Sequence, residues 1–458
     1  MRHAHTTVSG ERRAEVGADR YCSTSLFLRF HRSPESDASP ATRQLSTLST
    51  QLSALKVKPI RVAFLGKGAT RGGSQRELSY MVRYLDKDRF QATVLLREGG
   101  DLLSEFESSA PTHVYPETGA TAPARAQNPF IQFLGRGPSK TSGNPLSGRE
   151  EIEREWALKL VSAFRPDVIV RQYHFPIPQF DLVETLKIPS VQSVLLYGAG
   201  FAQMSDDEVR RFIKRSAIFV CPGKKVRDYL HGCWGVPLHR IATNCIGLDL
   251  TIRDEQMRYP GRLRRADIGL EEDSMVVATS GAFHYLKGVD IWVETAALLR
   301  DRYPAGKLKF MWIGGSEGQR RHSLYGSAVM SLVSEYGLTD DVIFAGDQRY
   351  VYPYLDACDI YVQPSRDDAF PHATLEAMAV SKPVVASPEG VAREPYAQHA
   401  LVRVDEYSPE ALADGVSKLI ESPGLRQKLG QLGSQVVETH FNVAESVRRF
   451  EEILMKAS

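Results

Sequence analysis

From Ile60 onward, short apolar runs alternate with stretches of helical spacing, and the alternation occurs in two successive series. Residues 60–65 (Ile-Arg-Val-Ala-Phe-Leu) read as a buried strand. A glycine-rich turn follows at 66–73, and then Leu78, Met81, Val82 and Leu85 repeat at helical spacing across 74–85. Residues 90–96 are a second strand. Strand, turn, helix, strand is the opening of a parallel doubly wound sheet. The series goes on with a helix at 150–164, strands at 168–170 and 191–196, a helix at 205–215, a strand at 218–220 and a helix at 224–231. A second series starts near Met275. Its expected strands are 275–279, 308–313, 342–344, 360–363 and 383–386, and its expected helices are 289–300, 328–336, 350–358 and 374–380. Two such α/β units facing each other leave a cleft at the carboxyl ends of their strands, where open parallel sheets bind ligands.

Length agrees with that division. The chain has 458 residues, enough for two domains with some to spare. Residues 1–58 are rich in Ser, Thr, Arg and Ala without a sustained period and read as a disordered tail. Glu11, Glu15, Asp19, Glu35 and Asp37 argue against a transit peptide there. The predicted division is an N-terminal Rossmann-like domain over 59–250, a second over 251–436 and a returning C-terminal helix over 437–458. Residues 116–149 are dense in Pro, Gly, Ser, Ala and Asn and read as a flexible insertion.

The net charge of +2 gives no support to a nucleic-acid-wrapping protein. Cys22, Cys221, Cys233, Cys245 and Cys358 include no Cys-x-x-Cys pair, so reduced thiols of a cytoplasmic protein are expected. No apolar run approaches the roughly 20 residues that span a bilayer. The segment 205–215 carries Arg210, Arg211, Lys214 and Arg215, with Lys224, Lys225 and Arg227 beyond it. It is either a solvated helix face or a peripheral surface for anionic lipid or polymer. Asp86-Lys87-Asp88 has the spacing of a metal-binding acid pair, but it lies between a helix and a strand and reads as a polar turn.

Chemistry concentrates in 360–379 (IYVQPSRDDAFPHATLEAMA). A buried strand runs into a turn, and a helix begins near Ala373 or Thr374. Asp368 lies in the turn and Glu376 in the first helical turn, so both can face one ligand. The N–H groups of His372, Ala373, Thr374 and Leu375 lack intrahelical partners in such a start and make an anion site favoured by the helix dipole. A diphosphate on those groups beside a carboxylate for ribose hydroxyls accounts for the pattern. A helix that merely uses acids at its start accounts for it as well.

The same segment resembles the signature of the retaining glycosyltransferases of family 4, which have the two-domain GT-B fold. Pro364-Ser365 and Glu376-Ala377-Met378-Ala379 match, with Asp368 where the family usually has Glu. The resemblance covers most of residues 60–455. It implies that Glu376 holds the ribose, that Asp368 contacts the transferred sugar, and that Phe370, Pro371, His372, Ala373, Thr374 and Leu375 border the donor. Residues 280–290 (SGAFHYLKGVD) are similar to another family stretch, which implies that Lys287 lies on the donor diphosphate. Ala282 stands where the family often has Arg, and His284 is a candidate replacement cation. Gly72 and Gly73 resemble the family's N-terminal Gly-Gly loop, and Arg349 follows the strand whose turn touches the base. Leu195 stands where many relatives have His. His174 is the candidate to supply an imidazole from a neighbouring strand end, against the commoner structural use of a lone histidine.

The resemblance implies transfer of a hexose-type sugar from a UDP- or GDP-sugar with retention, without metal or other cofactor, the leaving phosphate helping to take the acceptor's proton. The acceptor (a glycan, lipid-linked sugar or small molecule) would sit on the N-terminal domain. Two rivals remain. A catalytically silent relative could bind sugar nucleotides or a partner protein. A nicotinamide-dependent enzyme would need a dinucleotide fingerprint, but Arg71 occupies its third glycine position.

Overall fold

The residues described in the computed structural model are 58–116, 148–172, 180–195, 206–258 and 263–458. The expectations for most of 1–58 and of the insertion 116–149 fall outside them. Two all-parallel sheets organise the rest.

The first sheet takes β1 (Ile60–Gly68), β2 (Phe90–Glu98), β3 (Thr112–Val114), β4 (Val168–Arg171), β5 (Ser190–Ser193), β6 (Ile218–Cys221) and β7 (Ile241–Thr243) in the order β3-β2-β1-β4-β5-β6-β7. Its helices are α1 (Gly73–Tyr84), α2 (Leu103–Ser109), α3 (Gly148–Phe164), α4 (Phe180–Leu186), α5 (Asp206–Arg215) and α6 (Lys224–Gly232). After β7 comes α7 (Leu250–Arg258), a helix in the stretch where the sequence suggests a domain boundary.

The second sheet takes β8 (Met275–Ser280), β9 (Leu308–Ile313), β10 (Val342–Gly346), β11 (Ile360–Gln363), β12 (Val384–Ala386) and β13 (Val402–Arg403) in the order β10-β9-β8-β11-β12-β13. The helices here are α8 (Val289–Arg302), α9 (Glu317–His322), α10 (Leu324–Glu335), α11 (Tyr352–Asp356), α12 (His372–Ala379), α13 (Pro409–Glu421), α14 (Pro423–His440) and α15 (Val443–Ala457).

The continuous apolar runs have the reason expected of parallel strands, namely burial on both faces. Val62, Ala63, Phe64 and Leu65 are at most 1% exposed. Phe64 and Val62 pack on one side with Leu78, Met81 and Val82 of α1, while Ala63 and Leu65 pack on the other with Ala157 and Val161 of α3. Each sheet reverses its winding once, between β1 and β4 and between β8 and β11. Those two reversals place loop-borne residues at the carboxyl edge of each sheet.

The C-terminal helix returns to the first sheet, as expected. Val447, Phe450 and Leu454 of α15 join the core of β1 and β2, and the rings of Phe64 and Phe450 lie 6.5 Å apart. The crossing is fixed by backbone contact. The Leu248 N–H donates to the Phe441 carbonyl at 2.7 Å, and Asn244 Nδ2 donates to the Ser446 carbonyl at 3.0 Å. A Cβ on Gly247 would collide with the Phe441 carbonyl, so the close approach requires glycine there.

Arg210, Arg211 and Lys214 of α5 are exposed, and Arg210 pairs with Asp207 one turn away, while Arg227 pairs with Asp228 within α6. Lys225, expected among the exposed cations, is buried and pairs with Glu389 and, at 3.1 Å, with Asp367. Among the described residues no helix is long and apolar enough to cross a membrane.

Candidate functional site

The carboxyl edges of the two sheets border a cavity of about 1300 Å³. One wall is built from the loops after β8, β9, β10 and β11 together with the start of α12. The other is built from the loop after β1 and one face of α1.

Lys287 sits in a single helical turn, Tyr285–Lys287, that ends at Gly288 with φ of 71°. That left-handed conformation suits glycine, and a Cβ there would also strike the Pro364 carbonyl. The turn after β8 is thereby seated against the loop after β11. A second tie reinforces it. The Arg366 guanidinium makes a two-pronged contact with Asp290, both bonds at 2.7 Å, and lies 4.1 Å over the Tyr285 ring. Burial works to raise the Asp290 pKa, but hydrogen bonds from Arg366 and Tyr325 outweigh it and hold the carboxyl below its ordinary value. The result is a short, stiff support for the Lys287 ammonium, which pairs with Asp368 at the cavity wall.

α12 begins at His372, one or two residues earlier than expected, with Pro371 as its cap. Asp368, Phe370, Pro371, His372, Ala373 and Glu376 all line the cavity. Thr374 and Leu375 do not: both side chains are fully buried in the core beneath. The Thr374 N–H is also spent on the Pro371 carbonyl at 3.2 Å, and Leu375 is where regular helical bonding begins. The N–H groups left for an anion are therefore those of His372 and Ala373, half of the set expected. Glu376 is the fifth residue of α12 and lies in its second turn, not its first.

Burial lowers the His372 pKa, and its Nε2 lies 3.1 Å from the Ile246 carbonyl, which can only accept. His372 is thus a neutral ring that donates from Nε2 across the base of the cavity to the loop after β7. His284 is not the replacement cation for Ala282. Its Nδ1 accepts the Leu286 N–H at 3.2 Å, and burial with Lys287 nearby lowers its pKa. Arg349 is exposed, lines the cavity and lies 5.6 Å over the Tyr350 ring.

On the opposite wall, Gly72 and Gly73 border the cavity, and a Cβ at Gly73 would meet open space. Gly73, Arg76, Glu77, Tyr80 and Arg83 follow one another at helical spacing and all line the cavity. Sequence reasoning tracked only the apolar face of α1 and passed over this polar face, although the same period exposes it. Arg76 reaches across and pairs with Glu376 at 2.9 Å. Burial would lower the Arg76 pKa, but Glu376 together with Tyr80, Tyr352 and Glu105 outweighs it and raises the pKa. Leu195 lines the cavity as an apolar residue. His174 falls outside the described residues. Asp86 and Asp88 are not in the cavity wall: Asp86 Oδ1 accepts the Asp88 N–H at 2.9 Å in the turn before β2.

Residues 262–436 match the family model described as "Glycosyl transferases group 1". Among curated proteins, a D-inositol 3-phosphate glycosyltransferase of Paenarthrobacter aurescens is 27% identical over 235 residues, which cover 50% of this chain and 55% of that protein. The chain spans about half the length of the curated relatives it matches. Among solved structures, Anabaena Alr3699/HepE in complex with UDP has a TM-score of 0.67 at 16% identity, covering 87% of this chain and 100% of that one. WaaG, a glycosyltransferase involved in lipopolysaccharide biosynthesis, has a TM-score of 0.61 at 15% identity, covering 86% and 99%. These likenesses establish the fold: two Rossmann-like units in the GT-B arrangement.

Proposed function

We propose, from the premise that residues 262–436 form a glycosyl transferases group 1 domain within a GT-B fold, that this protein transfers a hexose-type sugar from a nucleotide-diphosphate sugar to a hydroxyl acceptor. The observation that carries the proposal is the grouping of Lys287, the free N–H groups at the start of α12 and Glu376 on one cavity wall. A diphosphate at that wall meets one ammonium and two backbone donors, and they stabilise the charge that grows on it as the sugar leaves. Glu376 is assigned to accept from ribose hydroxyls once Arg76 yields its place. Asp368 is assigned to the transferred sugar, and Arg349 and the Gly72-Gly73 loop to the edges of the donor.

Retention of anomeric configuration rests on the family resemblance. Metal independence has a physical rationale, because Lys287 and the helix start supply the positive charge that a divalent ion would otherwise bring. A relative with a similar fold binds UDP, which makes a uridine donor the first to try.

The test is binding and turnover with UDP-glucose, UDP-N-acetylglucosamine and GDP-mannose, read by calorimetry and by release of nucleoside diphosphate. Binding of at least one, abolished or strongly weakened in Glu376→Ala, is expected. If none binds, or if Glu376→Ala binds as well as the unaltered protein, the proposal is lost. Binding with no release under any acceptor would favour a silent sugar-nucleotide-binding relative.

A further inference from the structure

Behind the donor wall, the turn 366–370 is gripped from two sides. On one side Arg366 is clamped to Asp290 of α8. On the other, Asp367 Oδ1 accepts from the Lys225 ammonium at 3.1 Å, and Lys225 belongs to α6 of the first unit. Glu389, in the loop after β12, pairs with the same ammonium and also accepts from the Tyr407 hydroxyl. Lys225 and Glu389 are withdrawn from solvent, with side chains 6% and 2% exposed. Further contacts seat α6 on the second unit. The Lys224 N–H donates to Glu394 at 2.8 Å, and a Cβ on Gly223 would strike Glu394 and crowd the Phe370 ring. Ala369 packs into the first unit's apolar cluster with Val226 and Leu230 of α6.

Lys225, Asp367 and Glu389 do not line the cavity, whereas Asp368, the residue after Asp367, does. They therefore act on a donor only through the backbone that Asp367 shares with Asp368. The peptide between those two is planar, so a fixed Asp367 restricts where Asp368 can point. An ammonium taken out of water regains its lost hydration only from carboxylates in fitting places, which gives α6 one favoured seat on this turn. Glu394 adds to that seat by meeting the first N–H of α6, where the helix dipole favours a carboxylate. Asp368 itself pairs with Lys287, which is assigned to the diphosphate. Once Lys287 turns to the donor, the pair of Lys225 and Asp367 still ties the turn to the first unit.

We infer that Lys225 is a positioning residue: by holding Asp367 it aims Asp368 at the transferred sugar, so the first unit completes the sugar end of the donor site. This rests on the glycosyltransferase reading above. The two ends of the donor are then served differently. The nucleoside diphosphate meets Lys287, the start of α12 and Glu376, all of the second unit. The sugar meets an acid whose aim depends on α6 of the first. Loss of the tie leaves the nucleotide bound and the sugar misaligned, and misalignment at the reacting carbon slows its departure from the phosphate.

The experiment compares the unaltered protein with Asp367→Asn and Lys225→Met, using UDP-glucose or whichever nucleotide sugar of the panel binds, and the matching free nucleoside diphosphate. Affinities are read by calorimetry, and nucleoside diphosphate release is followed at saturating donor with water and added glycerol as hydroxyl sources. Asp367→Asn should bind the free nucleoside diphosphate within about twofold of the unaltered protein while its release rate falls by about 10–100-fold. Lys225→Met should lose as much rate. In an Asp368→Asn background, Asp367→Asn should cost less than about twofold more in release rate and in nucleotide-sugar affinity, because nothing is left to aim. A merely structural tie would instead weaken free nucleotide and nucleotide sugar alike, and would cost the same with or without Asp368. If Asp367→Asn keeps its rate within about threefold, or if its cost is unchanged in the Asp368→Asn background, the inference fails and the donor site stands. Should Lys225→Met not fold, Asp367→Asn decides, since it leaves Lys225 paired with Glu389. If the unaltered protein binds no nucleotide sugar, both readings fall together.

Discussion

The two walls of the cavity come from units of the same topology, yet they manage charge in opposite ways. On the wall after β8 and β11, the charges are paired inside their own unit: Arg366 with Asp290, and Lys287 with Asp368. On the α1 wall, Arg76 finds its partner only across the cavity, and Glu77 finds none among the described residues. The family match, residues 262–436, also lies wholly on the first wall's side. The contrast separates a wall fixed in advance from one that a ligand must finish. A donor common to many enzymes suits a prebuilt pocket, since groups held in place lose no freedom on binding.

The sharpest way to break this contrast is to remove the prebuilt cation. Lys287→Ala should lower nucleoside diphosphate release by about 10²–10³, and Lys287→Arg by less, measured at saturating donor. A loss under about threefold would mean that the first wall does not hold the leaving group. Next in size is Glu376→Ala, expected to weaken donor affinity by about 10–100-fold by calorimetry, as suits charge-assisted bonds to hydroxyls.

The second wall has a stability signature. Glu77 keeps its proton in the folded protein up to about pH 8, whereas the unfolded chain gives it up near 4.5. Unfolding therefore releases a proton between those values. The group's contribution is full below the lower one and is lost as pH rises through the higher. Glu77→Gln removes the loss, so it should gain on the unaltered protein by a few kcal/mol near pH 9 and little near pH 4, judged by chemical denaturation. An unchanged difference across that range would show that Glu77 is not desolvated. Arg76→Ala comes below this, because the arginine is partly exposed: about 0.5–1 kcal/mol of stability, measured the same way, with donor affinity raised rather than lowered because Glu376 is released. Smallest of all is the effect of EDTA, which should leave the release rate unchanged within error. A strong loss, restored by magnesium or manganese, would assign the diphosphate to a metal rather than to Lys287.

Much of the first wall was legible because its parts adjoin in the chain. Pro364-Ser365, Asp368 and Glu376 lie on one strand-turn-helix segment, where spacing alone fixes which groups face together. Even there the helix boundary shifted, and with it the count of free N–H groups, because Pro371 caps α12 and takes the Thr374 N–H. Arg366 and Asp290 were both within segments already marked, but their 76-residue separation hid the clamp they form. The short elements Leu103–Ser109, Thr112–Val114 and Val402–Arg403 were missed for another reason: two to seven residues are too few for a period to show. Arg76 and Glu77 were missed because a hydrophobic period points at the core face of a helix and says nothing of what the other face meets.

The sequence by itself determined two parallel α/β units, because continuous apolar runs linked by amphipathic helices can be buried in few other ways, and it determined the donor-side motif, because that motif is local. Only the tertiary structure decided that Glu376 meets Arg76, that Lys225 is buried against Glu389 rather than exposed, and that Glu77 has no ion-pair partner among the described residues. The physical reason is distance along the chain. Pairing and desolvation depend on which distant segments the packed sheets bring together, and no local pattern of residues carries that information.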